Sequence, residues 1–99
     1  MIKHIVTFRL KGSSIEKSEV ALRFKEALEA LPEIIEPLKS IEVGINVNPN
    51  EKWDIVLTAL LPTLDDVNIY ANHPAHVAAA SIIAPFKEDR ACVDYITTE

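Results

Sequence analysis

The chain has 99 residues, of which 48% are hydrophobic and 25% charged, a composition typical of a globular protein and too apolar for a disordered one. Its formal net charge is −5 and its basic residues form no cluster, which argues against nucleic acid as a partner. The single cysteine, Cys92, excludes an internal disulfide and any site built from several cysteines, and we predict a buried, inert thiol. Since no secretory signal and no membrane-length apolar stretch is evident, we predict one soluble, cytoplasmic domain over residues 1–99 that binds no membrane.

The first predicted element is a strand over residues 2–10, in which apolar and polar side chains alternate. One face of this strand carries Ile2, His4, Val6, Phe8 and Leu10. His4 is the only polar residue on that face. Ser13 and Glu16 follow with the spacing of a capping box, in which a hydroxyl and a carboxylate satisfy free backbone N–H groups at a helix start. The apolar stripe that comes next predicts a helix ending at about Leu31.

Alternation then predicts a second strand over residues 40–48 and a third over residues 53–61. The sequence NPNEK between them supplies turn-forming residues. Trp53 opens the third strand and is predicted to be a core or interface anchor. This strand is apolar on both faces, because Val56 and Leu60 point away from its main apolar side. Both faces of the sheet therefore need to be covered.

Two helical segments and a strand complete the chain. Thr63 and the acidic residues after it predict a helix start, and that helix should stop near Asn72, because Pro74 disfavours a helical conformation at the residue before it. A proline is favoured at the first position of a helix, so a second helix is predicted from Pro74 to near Pro85. The alternating sequence RACVDYI predicts a last strand over residues 90–96.

The predicted order is strand, helix, strand, strand, helical pair, strand. This order is typical of the split βαβ unit, so we predict an α+β, ferredoxin-like fold with an antiparallel sheet and helices on one face. The apolar residues on the other face would then be exposed. A second copy of the chain is the simplest cover for them, which predicts a homodimer formed through the sheet face.

Four stretches of the sequence together resemble the stress-responsive dimeric α/β-barrel family, Dabb. They are MIKHIVTFRLK, IEVGINVNP followed by a W-D strand, YANHPAH, and RACVDYI. The resemblance implies a ferredoxin-like monomer that pairs into a dimeric α/β barrel without a cofactor. It implies no single reaction, since most members have none assigned. Some plant members are polyketide cyclases that close their substrate by aldol condensation, and related barrels include monooxygenases that use no cofactor.

The resemblance also implies a small-molecule pocket between sheet and helices, formed by His4, Tyr70, His73 and His76. Tyr70 and His76 match the catalytic pair of the plant cyclases. An aldol closure needs a base that removes a proton next to a carbonyl and a donor that holds the developing oxyanion. A neutral imidazole at His76 and a phenol at Tyr70 are suited to these two tasks.

The same residues have two other interpretations. In the first, the corner around Pro74 is structural: an imidazole caps free backbone groups and Tyr70 is a core residue with a hydrogen-bonded hydroxyl. In the second, His4, His73 and His76 hold a metal ion and leave one tetrahedral position open. Because Pro74 interrupts the regular helix that an H-x-x-H pair needs, we predict no metal.

Overall fold

The computed structural model describes residues 1–98, which form four strands, three helices and two short 3-10 turns. The strands are β1 (Ile2–Leu10), β2 (Ser40–Ile45), β3 (Ile55–Leu61) and β4 (Lys87–Ile96). The helices are α1 (Ser14–Glu29), α2 (Leu64–Asn72) and α3 (Pro74–Ile83), with the 3-10 turns at Leu31–Glu33 and Ala84–Phe86. The predicted α+β, ferredoxin-like fold is confirmed. None of the helices within residues 1–98 is long and apolar enough to cross a membrane.

The sheet has the strand order β2-β3-β1-β4, and every neighbouring pair is antiparallel. β1 is therefore a central strand, whereas β4 lies at an edge. In this register His4 of β1 lies opposite Ala59 of β3 on one side and Asp94 of β4 on the other. Because paired residues project to the same face of a sheet, His4 and Asp94 both point toward the helices.

The predicted helix starts are confirmed at the level of single hydrogen bonds. The Ser13 hydroxyl accepts from the Glu16 backbone N–H at 3.1 Å, and the Glu16 carboxylate accepts from the Ser13 N–H at 3.0 Å. Thr63 and Asp66 form the equivalent box at the start of α2. The extended backbone of His73 (φ −64°, ψ 136°) separates α2 from α3, as expected for the residue before a proline.

One face of the sheet packs against the three helices and forms the core. The helices contribute Val20, Ala21, Phe24, Leu28, Val67, Tyr70, Ala79 and Ile83 to it. Phe8 of β1 meets Phe24 of α1 edge to face, with ring centroids 5.5 Å apart. His4 is the one polar residue of β1 buried on this face, as the alternation predicts.

The opposite face of the sheet carries apolar side chains without cover. Val56, Val93 and Tyr95 are exposed there, and Leu60 is half-buried. We call this surface the bare face. Its apolar character agrees with the sequence pattern of the third strand.

The second strand is shorter than predicted, since it ends at Ile45 rather than at residue 48. The Asn46 carboxamide accepts from the Asn48 N–H at 2.8 Å and donates to the Asn48 carbonyl at 3.0 Å. This local bonding draws the chain into the turn. Val47 is consequently 94% exposed instead of extending the apolar face of the strand.

Candidate functional site

A cavity of about 430 Å³ lies between strands β1 and β4 of the sheet and the helices above them. Its polar lining includes His4, Tyr70, His76, Arg90, Cys92 and Asp94. The phenol and one imidazole come from the helical side, and the other groups come from the sheet. Asn68 and Lys87 are further polar lining residues, and apolar side chains such as Phe24, Leu57 and Val67 complete the walls, so the cavity has polar and apolar lining in comparable shares.

Tyr70 lies near the end of α2 and is only 1% exposed. Its hydroxyl has no hydrogen-bond partner among the described residues. Burying a hydroxyl without a partner destabilises a fold, so almost all buried polar groups are paired. Burial also raises the pKa of the Tyr70 phenol, which keeps it protonated at neutral pH. Tyr70 lines the cavity, and its hydroxyl is a hydrogen-bond donor that no other residue within 1–98 uses.

His76 lies in the first turn of α3, with its ring centroid 4.5 Å from that of Tyr70. Its Nδ1 is 2.9 Å from the carbonyl of Ala71. Because a carbonyl can only accept, Nδ1 carries a proton, and Nε2 is the unprotonated nitrogen of the neutral ring. Burial lowers the pKa of His76, while the bond to Ala71 opposes that shift. At neutral pH the ring is thus an acceptor next to the Tyr70 donor.

His73 does not line the cavity. Its Nδ1 accepts from the backbone N–H of Ala75 at 3.0 Å, so its side chain is the N-cap of α3. Cap residues satisfy a donor that has no partner within the helix. The H-P-A-H corner therefore contains both kinds of residue considered from the sequence: His73 is placed as a structural cap, whereas His76 faces the cavity.

His4 and two residues of β4 form the sheet side of the cavity. His4 Nδ1 lies 2.5 Å from Asp94 Oδ1 and 3.6 Å from Cys92 Sγ. The His4 ring also meets Tyr70 edge-on, with centroids 5.9 Å apart. The Cys92 thiol is half-buried and borders the cavity, so it is less buried than the sequence predicted. Burial and the nearby Asp94 carboxylate raise the pKa of Cys92.

Comparison with known proteins identifies the family. The family model described as Stress responsive A/B Barrel Domain, Dabb, matches residues 2–97. The chain belongs to the Dabb family. None of the curated proteins is similar enough to match.

Solved structures include several close relatives of this Dabb chain. A Bacteroides fragilis NCTC 9343 protein, described as dimeric, of unknown function and with a ferredoxin-like fold, is 53% identical; the match covers 95% of this chain and 93% of that one with a TM-score of 0.93. A dimeric ferredoxin-like protein of unknown function from Thermobifida fusca YX is 31% identical over 97% and 90%, with a TM-score of 0.78.

A structure described as an antibiotic biosynthesis monooxygenase is 13% identical over the whole of both chains, with a TM-score of 0.77. Similarity at this level shows the fold alone, because one fold hosts many chemistries. The function of this Dabb protein must therefore be argued from its own cavity.

The sequence assigned His4, Tyr70, His73 and His76 to one pocket. The structure brings His4, Tyr70 and His76 together around the cavity, whereas His73 caps α3 outside its lining. Sequence reasoning did not select Asp94 or Cys92. Alternation in RACVDYI places both on one face of the last strand, which is the signal that was available. The missing information was the register between β1 and β4, because only the fold shows that His4 lies opposite Asp94.

The capping role of His73 leads to a first prediction. Replacing His73 with alanine removes the acceptor of the Ala75 N–H and should lower the free energy of unfolding by about 1 kcal/mol. Asparagine is a good N-cap, so His73→Asn should recover most of the loss. Urea unfolding of the three proteins checks this. Equal losses in both variants would contradict the capping role.

Proposed function

We propose that this Dabb protein binds a small molecule carrying a carbonyl group in the cavity between sheet and helices. The observation that carries the proposal is the buried Tyr70 hydroxyl, which has no hydrogen-bond partner within the described residues 1–98. A carbonyl oxygen of a ligand would accept from it and remove the cost of leaving it unpaired. The apolar half of the lining would pack against an aromatic or aliphatic body of the ligand, and about 430 Å³ is enough for a small organic molecule.

A second candidate function, removal of a proton next to that carbonyl, is favoured by His76. Its Nδ1 is held by the Ala71 carbonyl, which leaves Nε2 as the basic nitrogen. The lowered pKa keeps the ring unprotonated at neutral pH, the state that a general base requires. Tyr70 would hold the oxyanion that develops as the proton leaves. This is the first half of an aldol condensation, and it assigns donor to Tyr70 and base to His76.

Acetophenone, an aryl methyl ketone, tests both functions in one NMR experiment in D2O. Binding should appear as saturation transfer from protein to ketone, and proton removal as loss of the methyl proton signal faster than without protein. Tyr70→Phe should weaken both effects, whereas His76→Gln should remove the exchange and retain most of the binding. Exchange that is unchanged in His76→Gln would contradict the role of His76 as base.

The lowered pKa of His76 also predicts a dependence of stability on pH. An unfolded histidine titrates near 6.5, whereas burial lowers the pKa of the folded ring. As pH falls through about 6.5 toward the lowered value, the unfolded chain binds more protons and the free energy of unfolding decreases. Above that window the contribution of His76 is fully present. Urea unfolding between pH 8 and 5 should therefore show a smaller decrease for His76→Gln than for the wild type, with His73→Gln as the control outside the cavity.

We further propose that the chain forms a homodimer through the bare face of its sheet. Val56, Val93 and Tyr95 make that face apolar and exposed, and such patches usually mark an interface. The Bacteroides fragilis relative at 53% identity is described as dimeric.

The unpaired Cys92 is in keeping with a reducing compartment such as the cytoplasm.

A further inference from the structure

Three potential metal ligands converge on the sheet side of the cavity. His4 projects from β1, and Cys92 and Asp94 project from β4 two residues apart on the same face. The ligand atoms of these three side chains all lie within 4.8 Å of one another. Cys92 Sγ is 3.6 Å from His4 Nδ1 and 3.9 Å from Asp94 Oδ2. We call these residues the β1–β4 cluster.

The β1–β4 cluster is not arranged as a nucleophile with its base. In such an arrangement the imidazole uses one nitrogen for the orienting carboxylate and the other for the thiol or hydroxyl. Here Asp94 and Cys92 both approach Nδ1 of His4, so the ring cannot accept the thiol proton while it donates to the carboxylate. Three ligand atoms within 4.8 Å of one another are better suited to a shared cation.

We propose that the β1–β4 cluster binds one divalent cation of the zinc class through His4 Nδ1, Cys92 Sγ and an Asp94 carboxylate oxygen. Nitrogen, sulfur and oxygen together are ligands of zinc and cobalt, whereas magnesium and calcium take oxygen. Three protein ligands leave one tetrahedral position open, as catalytic sites do. Because the cluster lines the cavity, the open position is accessible to a water or a ligand oxygen there.

The distances in the cluster are close to those of a tetrahedral site. Metal–ligand lengths of about 2.0 to 2.3 Å separate neighbouring ligand atoms by about 3.3 to 3.7 Å. The distances from Cys92 Sγ, 3.6 Å to His4 Nδ1 and 3.9 Å to Asp94 Oδ2, are near this range, while the carboxylate oxygen next to His4 is Oδ1. The 2.5 Å between His4 and Asp94 is shorter because a hydrogen bond joins them. A cation replacing that proton would move the Asp94 carboxylate outward by about 1 Å, and this residue lies on an exposed edge strand.

Binding of the cation releases two protons from the cluster. The Cys92 thiol loses its proton to become the thiolate ligand, His4 Nδ1 loses the proton it donates to Asp94, and both protons pass to solvent. The negative charge of the Asp94 carboxylate compensates part of the positive charge of the bound cation. Arg90, two residues before Cys92 on the same face, favours the thiolate but repels the cation. The site therefore depends on both Cys92 and Asp94.

This ligand set differs from the three histidines considered from the sequence. Only His4 is common to both, because His73 Nδ1 is occupied by the Ala75 N–H. The inference does not depend on the proposed carbonyl ligand, since it uses the sheet side of the cavity and its test requires no organic molecule. Tyr70 and His76 keep their places on the opposite wall.

Cobalt binding to the untagged full-length protein tests the proposal. Titration with Co²⁺ should produce thiolate-to-cobalt charge-transfer absorption that saturates at one cobalt per chain, and Zn²⁺ should displace it. Cys92 is the only cysteine, so this band reports the cluster directly and Cys92→Ser should abolish it. Replacing a residue that only hydrogen-bonds a metal ligand typically lowers metal affinity by roughly 10- to 100-fold. Asp94 is proposed as a direct ligand, so Asp94→Asn should weaken cobalt binding by at least tenfold.

Asp89→Asn is the matched control, because it makes the same change at an exposed position of β4 and should bind cobalt like the wild type. Absence of the charge-transfer band in the wild type would overturn the proposal. Equal affinities of the Asp94 and Asp89 variants would do so too. If Asp94→Asn does not fold, zinc competition with a chromophoric chelator compares the wild type with Cys92→Ser, and equal zinc affinities would overturn the proposal.

Discussion

Replacing Tyr70 with phenylalanine is expected to stabilise the protein and to impair its function. The hydroxyl of Tyr70 is buried and has no partner among residues 1–98. A buried polar group without a partner costs roughly 1 to 3 kcal/mol, so its removal should raise the free energy of unfolding by an amount in that range. The ring stays in place and preserves the packing. Urea unfolding at matched protein concentration measures the change.

Ser18→Ala is the control, since it removes a hydroxyl from an exposed position of α1, away from the bare face. Substitutions at exposed positions usually change stability by less than about 0.5 kcal/mol. We expect a gain in the free energy of unfolding for Tyr70→Phe and little change for Ser18→Ala. A loss of stability in Tyr70→Phe would mean that the hydroxyl has a stabilising partner in solution, and the cavity would then lack its free donor.

Placing a charge on the bare face should separate the dimer. Val93 is 61% exposed within the monomer, so Val93→Asp disturbs the isolated chain little. In the dimer the carboxylate would be buried against apolar side chains without a partner. A change at the centre of an interface often costs about 2 kcal/mol or more, which weakens association by roughly 30-fold. Light scattering should then give the 11.0 kDa mass of one chain where the wild type gives twice that mass.

Val77→Asp provides the control for this experiment. Val77 lies on α3, away from the sheet, and is 55% exposed, so it matches Val93 in residue type and exposure. Its substitution should leave the mass at that of a dimer. Dissociation by Val77→Asp but not by Val93→Asp would place the interface on the helical side, and a wild-type monomer would exclude the dimer altogether.

The fold was predictable because its signals are local. Alternation, the two capping boxes and the proline after His73 each act over a few residues, and each predicted element was found. The end of β2 was misplaced for a local reason as well: the Asn46 side chain bonds the backbone of Asn48, and alternation contains no information about such bonds.

The candidate site was predictable only in part, because it depends on contacts between distant segments. Resemblance to the Dabb family pointed to Tyr70 and His76, but it did not distinguish His73, whose ring turns to cap α3. The pairing of His4 with Asp94 joins residues 90 positions apart. This pairing follows from the register between β1 and β4, which is determined by turn geometry and packing. No sequence pattern within either strand reports it.

The two proposals give the cavity walls different roles. The helical wall offers a phenol donor and a neutral imidazole, which suits a carbonyl ligand and its neighbouring proton. The sheet wall offers nitrogen, sulfur and carboxylate ligands from His4, Cys92 and Asp94. A cation there would polarise a ligand oxygen in the same cavity. Each wall can be tested with variants that leave the other intact.

The most direct test of the central claim, that Tyr70 keeps its hydroxyl for a ligand, is a set of four urea-unfolding curves: wild type and Tyr70→Phe, each with and without acetophenone. Without the ketone, the account predicts that Tyr70→Phe is the more stable protein. With the ketone near saturation, the wild type should gain stability by mass action and the variant little, so the difference should shrink or reverse. Equal gains in both proteins, or no gain in the wild type, would contradict the account.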